Sequence, residues 1–128
     1  MKTFKILIVE DDLPLGEAFE RAIMKFAQAQ SILMTVLKTD NTDDAHELFI
    51  ENPDFDTVLL DGSPTGHGFS DTYKLALAIR LRSNKCRLVA TSGSPKDYKD
   101  LWDFCDERLA KPFNSEALWR KLGLLPPI

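Results

Sequence analysis

A chain of 128 residues with 44% hydrophobic and 28% charged side chains reads as one globular domain, long enough to bury roughly two-thirds of its unfolded surface. Its net charge of −4 gives no overall cationic field, which argues against nucleic acid or an anionic membrane as partner. Cys86 and Cys105 have no metal-ligand spacing, no apolar run is long enough to cross a bilayer, and Met1-Lys2 leads into too short an apolar stretch for a signal peptide. A cytoplasmic protein with reduced thiols is the expectation.

In chain order, Phe4-Lys5-Ile6-Leu7-Ile8-Val9 predicts a buried strand that ends on Glu10-Asp11-Asp12. Pro14 suits the first turn of a helix, where its missing N–H costs nothing, and Leu15, Ala18, Phe19, Ala22, Ile23 and Phe26 repeat on one helical face. Leu33–Leu37 predicts a second strand. Asn41 and Thr42 are capping candidates for a short helix carrying Ala45, Leu48 and Phe49, stopped by Asn52-Pro53.

Thr57-Val58-Leu59-Leu60 runs straight into Asp61 and a Gly62-Ser63-Pro64 turn. A strand buried on both faces should end on a bare carboxylate only where the sheet's carboxyl edge opens into a crevice. Phe69, Tyr73, Ala76, Leu77, Arg80 and Leu81 then repeat at helical spacing, and the basic residues near Arg80 read as a helix end favoured by the dipole. Arg87–Ser92 predicts a fourth strand ending on hydroxyls, Ser94-Pro95 a capped helix start, and Arg108-Leu109-Ala110 a fifth strand ending at Lys111-Pro112. Asn114 caps a last helix with Leu118 and Leu122.

Five strands alternating with five helices predict an α/β domain over 1–128, a doubly wound parallel sheet covered on both faces. In such a sheet the carboxyl ends share one edge. That edge collects Glu10, Asp11 and Asp61 with Ser92 and Lys111. Three carboxylates in one crevice repel and favour a hard cation such as Mg²⁺, while an ammonium offsets the remaining charge. Singly, each residue has a plainer role as cap, turn former or solvated charge; their recurrence at successive strand ends does not.

Val9-Glu10-Asp11-Asp12, Val58-Leu59-Leu60-Asp61, Ala90-Thr91-Ser92-Gly93 and Lys111-Pro112-Phe113 together resemble the receiver domain of two-component response regulators, the chemotaxis-regulator (CheY-like) fold. The resemblance implies a flavodoxin-like sheet in the order 2-1-3-4-5. It implies Asp61 as acceptor of a phosphoryl group from the phosphohistidine of a sensor kinase or phosphotransfer protein. Mg²⁺ would be ligated by Asp11 and Asp61, by Glu10 mainly through water, and by the backbone carbonyl of Ser63. Ser92, rather than Thr91, would be the switch hydroxyl and Lys111 the partner of the phosphoryl group. The domain would catalyse its own phosphorylation and slow dephosphorylation without being a substrate-turnover enzyme. A cis Lys111–Pro112 bond is also implied, as is a downstream effector or homodimer on the face of the fourth helix and fifth strand.

The sequence departs from the family in two places. Pro64 and Gly68 make the loop after Asp61 one residue shorter than the usual spacing, and Arg108 stands three before Lys111, where the family carries an aromatic that moves between buried and exposed. A guanidinium is always charged and expected to stay at the surface, paired with an acid such as Asp106. His67 reads as an exposed loop residue. These departures sustain an alternative, a pseudo-receiver that binds a partner without phosphorylation. A haloacid-dehalogenase-type hydrolase would need a second Asp where Ser63 stands, and in a flavodoxin-type FMN site Glu10-Asp11-Asp12 would repel the phosphate.

Overall fold

The computed structural model describes residues 2–61, 69–83, 85–92, 105–111 and 113–125. Five strands, β1 (Thr3–Val9), β2 (Leu33–Thr39), β3 (Thr57–Asp61), β4 (Arg87–Ser92) and β5 (Glu107–Ala110), form one parallel sheet in the order β2-β1-β3-β4-β5. Helices α1 (Leu13–Ala29), α2 (Thr42–Glu51), α3 (Phe69–Arg82) and a C-terminal helix (Ser115–Lys121) are the four among the described residues. The helix expected to start at Ser94, the loop Gly62–Gly68 with Ser63 and His67, and the Lys111–Pro112 bond lie outside them.

Period-two alternation along the strands sorts the core into two layers. Leu7, Val9, Val58, Leu60, Leu88 and Ala90 pack against Ala45 and Phe49 of α2 and Leu75, Ala76 and Ile79 of α3. Ile6, Ile8, Leu59, Val89 and Leu109 face the other way, onto Phe19 and Ile23 of α1 and Leu118 and Leu122 of the C-terminal helix. The helix starts follow their capping residues: Asp12 Oδ1 accepts from Leu15 N at 3.1 Å, Asn41 Oδ1 from Asp44 N at 2.7 Å, and Asn114 Oδ1 from Ala117 N at 2.8 Å. Helix α1 ends in a Schellman turn, with Ser31 at φ 56° and Ile32 N–H donating to Ala27 O at 2.9 Å. The C-terminal helix is tied to α1 by Trp119 Nε1 donating to Ala22 O at 2.9 Å and by the Phe26–Trp119 ring contact at 5.0 Å, and Phe113, two residues before it, stacks on Phe19 at 5.2 Å.

Helix α3 does not bury the stripe that its sequence suggests. Ala76 is buried as expected, but Leu77 and Leu81 are exposed, and Thr72, Leu75 and Ile79 join Ala76 in facing the sheet instead. At 100° per residue, turning the Leu77–Leu81 stripe inward would carry Lys74 into the core, at the cost of desolvating an ammonium. The stripe chosen contains no charge.

Candidate functional site

Register, rather than proximity in sequence, assembles the site. Val9 stands opposite Leu60, so Glu10 and Asp61 leave adjacent strands at the same level, and Glu10 N–H extends the ladder on its other side by donating to Thr39 O at 3.0 Å. Asp61 in turn stands opposite Thr91, and Ser92 opposite Ala110, which sets Lys111 one residue beyond. By alternation Glu10, Asp61 and Lys111 continue the Ile8, Leu59 and Leu109 series, so all three belong to the sheet face that α1 covers.

There the three side chains meet. Lys111 Nζ donates to Glu10 Oε1 at 2.7 Å and to Asp61 Oδ1 at 3.1 Å. The side chains of Glu10 and Asp61 are only 2% and 9% exposed, and that of Lys111 is 22% exposed, so this is a mostly buried ion triad with its ammonium nearest solvent. Asp11 completes the acid group: one oxygen from each of Glu10, Asp11 and Asp61 lies within 4.8 Å of the others. Asp12 N–H donates to Glu10 Oε2 at 3.3 Å, which links the acid group to the cap of α1.

Burial raises the Glu10 pKa from 4.5 to about 7; the Asp61 charge and Asp11 add to the rise, and Lys111 works against it. Asp61 is raised for the same first reason, with Asp11 adding and Lys111 opposing. Burial disfavours the Lys111 ammonium, but its hydrogen bond to Glu10 and the Asp61 charge outweigh that, so its pKa is raised. The site is thus short of positive charge, and three clustered carboxylate oxygens are the hard donor set that Mg²⁺ takes. The residues present fit that ion.

Of the residues expected at this edge, Glu10, Asp11, Asp61 and Lys111 are brought together. The side chain of Ser92, last in β4, and the carbonyl of Ser63 lie outside the described set. Thr91 is buried, and its hydroxyl donates to Leu60 O at 3.4 Å. Arg108 is exposed, as expected, whereas Asp106 accepts from Arg80 at 2.6 Å and from Leu88 N at 2.8 Å, fastening the end of α3 to the β4–β5 edge. Two further features have no local sequence signal: the Glu10–Thr39 backbone bond, and the fully buried Thr72 hydroxyl, which has no hydrogen-bond partner among the described residues.

No family model and no curated protein matches the sequence. Solved structures do match the fold. The non-phosphorylated HemR receiver domain of Leptospira biflexa aligns at a TM-score of 0.74 and 23% identity over 98% of each chain. The Vibrio cholerae chemotaxis protein CheY4 aligns at 0.77 and 17% identity, over 94% of this chain and 97% of that one. The fold is that of a response-regulator receiver domain. A receiver domain protein of Clostridium thermocellum agrees, at a TM-score of 0.76 and 16% identity over 94% of this chain and 91% of its own. The receiver architecture accounts for the strand order and puts the acid group at the carboxyl edge, where open α/β sheets form their crevices. No helix among the described residues is long and apolar enough to cross a membrane.

Proposed function

We propose that this chain is a phosphoacceptor receiver, in which Asp61 takes a phosphoryl group from the phosphohistidine of a sensor kinase or phosphotransfer protein in the cytoplasm. The observation that carries the reading is the single ammonium of Lys111, 2.7 Å from Glu10 and 3.1 Å from Asp61. A buried acid cluster built only for structure would be cheaper as apolar residues. One built for phosphoryl transfer needs a nucleophile and positive charge beside it, and little more.

An ionised oxygen of Asp61 attacks phosphorus, the P–N bond to the donor imidazole breaks, and its electron pair leaves with the ring nitrogen, which takes up a proton. The product is an acyl phosphate on Asp61. Lys111 favours the ionised nucleophile despite burial, and its ammonium is within reach of an incoming phosphoryl oxygen. Glu10 orients that ammonium through the shorter of its two bonds. Mg²⁺ would be held by Glu10, Asp11 and Asp61, with the Ser63 carbonyl as a further ligand, and supplies charge neutralisation for the phosphoryl oxygens. Ser92 is assigned as the hydroxyl that donates to the phosphoryl group, and the same machinery would let water return the acyl phosphate slowly to Asp61.

The test is intact-mass spectrometry after incubation with Mg²⁺ and acetyl phosphate. One added phosphoryl group is expected, absent in Asp61→Asn. No gain with either acetyl phosphate or a phosphohistidine donor would leave the non-phosphorylated interaction module as the better reading.

A further inference from the structure

We infer that the outer face of α2 and α3 docks a second copy of this chain, in a two-fold arrangement that sets α2 of each copy against α3 of the other. The two helices pack side by side on one face of the sheet, and their outer surfaces carry apolar residues that the core does not use. Leu81 is 80% exposed, Leu77 39% and Ile50 43%. Leu77 and Leu81 are one turn apart on the same stripe of α3. Asp44, Glu47, Leu48 and Glu51 line a groove against Lys38 and Thr39 of β2, with Glu47 and Glu51 exposed. Ile50 therefore lies on the opposite flank of α2, the one turned toward α3. Buried Leu75, Ala76 and Ile79 already satisfy the core-facing side of α3, so the second stripe has no role within the fold.

Charge decides the occupant. Asp43, Glu47 and Glu51 are exposed on α2, which contains no Lys or Arg; Lys74 and Arg82 are exposed on α3. No ion pair among the described residues engages any of these five side chains. One face thus carries an acidic half and a basic half with apolar residues between them. A basic partner would meet repulsion from α3, and an acidic one from α2. A two-fold axis between the helices satisfies both halves twice over, since residue i meets j on the partner and j meets i. The same operation brings Leu81 and Ile50 of both copies toward the centre. Helices of 10 and 14 residues are about 15 and 21 Å long, so the contact is small and belongs with weak, reversible interfaces. It is separate from the β5 side of the molecule and does not depend on the reading of Asp61.

Sedimentation equilibrium of the intact chain, up to roughly 1 mM protein, tests this. At low salt the average mass should rise with concentration from 14.5 kDa toward twice that value and no further. Raising ionic strength from about 0.01 M to about 0.5 M should weaken association tenfold or more, because the charges involved are exposed. Leu81→Asp should weaken it at least tenfold with an unchanged circular dichroism spectrum. Asp43→Lys/Glu47→Lys/Glu51→Lys and Lys74→Glu/Arg82→Glu should each be monomeric alone, and their equimolar mixture should associate, since the first chain is then basic on both helices and the second acidic on both. A constant 14.5 kDa at every concentration, a dimer indifferent to Leu81→Asp, or a mixture that stays monomeric would each overturn the proposal.

Discussion

Replacing Lys111 by Ala removes the only cation that touches both buried carboxylates among the described residues, and the consequence should depend on pH. Glu10 is raised from 4.5 to about 7 in the folded chain, so between those values the folded state binds more protons than the unfolded one. Stability therefore falls as pH rises through that window and levels off above it. At 1.36 kcal/mol per pKa unit, this one group costs about 3 kcal/mol at alkaline pH relative to acid, and its burial leaves little room for solvent screening. In Lys111→Ala the hydrogen bond and charge that hold Glu10 down are gone, and Asp61 loses its counter-charge as well, so the decline should be steeper and extend past pH 7. Urea unfolding in the presence of a chelator should show a modest loss relative to wild type at pH 5, where Glu10 is mostly protonated in the native state. At pH 8.5 the loss should reach about 3 kcal/mol, the range for stripping one partner from a buried pair. An equal loss at both pH values would mean that Lys111 acts through packing alone and would refute the electrostatic account.

Mg²⁺ at about a hundred times its dissociation constant should stabilise the chain by about 2.7 kcal/mol, and Asp11→Ala should abolish the rise in melting temperature while leaving the metal-free fold at least as stable. Arg108→Tyr, at an exposed site, should leave phosphoryl uptake by Asp61 nearly unchanged in the intact-mass assay; loss of uptake would put Arg108 in the active site. Ser31→Gly should raise stability by about 1 kcal/mol in urea melts, because a φ of 56° costs any residue with a Cβ and glycine nothing. Lower stability there would mean that the Ser31 side chain contributes more than its backbone strain removes.

Much of this molecule is written locally. Continuous apolar runs marked the strands, and all five lie within one or two residues of where those runs put them. Asp12, Asn41 and Asn114 sit immediately before their helices because a side-chain oxygen bonding a free N–H is a short-range event. The acids after the first and third strands and the lysine after the fifth were legible for the same reason, since a buried parallel strand has few grounds to end on a charge. The geometry that joins them was not. Lys111 is bonded to residues 101 and 50 positions away, and only the pairing of Val9 with Leu60, Asp61 with Thr91 and Ser92 with Ala110 brings them to one level on one face. The buried stripe of α3 was equally beyond local reading. Both of its stripes are apolar at helical spacing, and the choice fell to the sheet, which could bury Leu75, Ala76 and Ile79 without desolvating Lys74. Sequence periodicity sets which surfaces can be buried; competition for a single core sets which one is, and leaves Leu77 and Leu81 facing out.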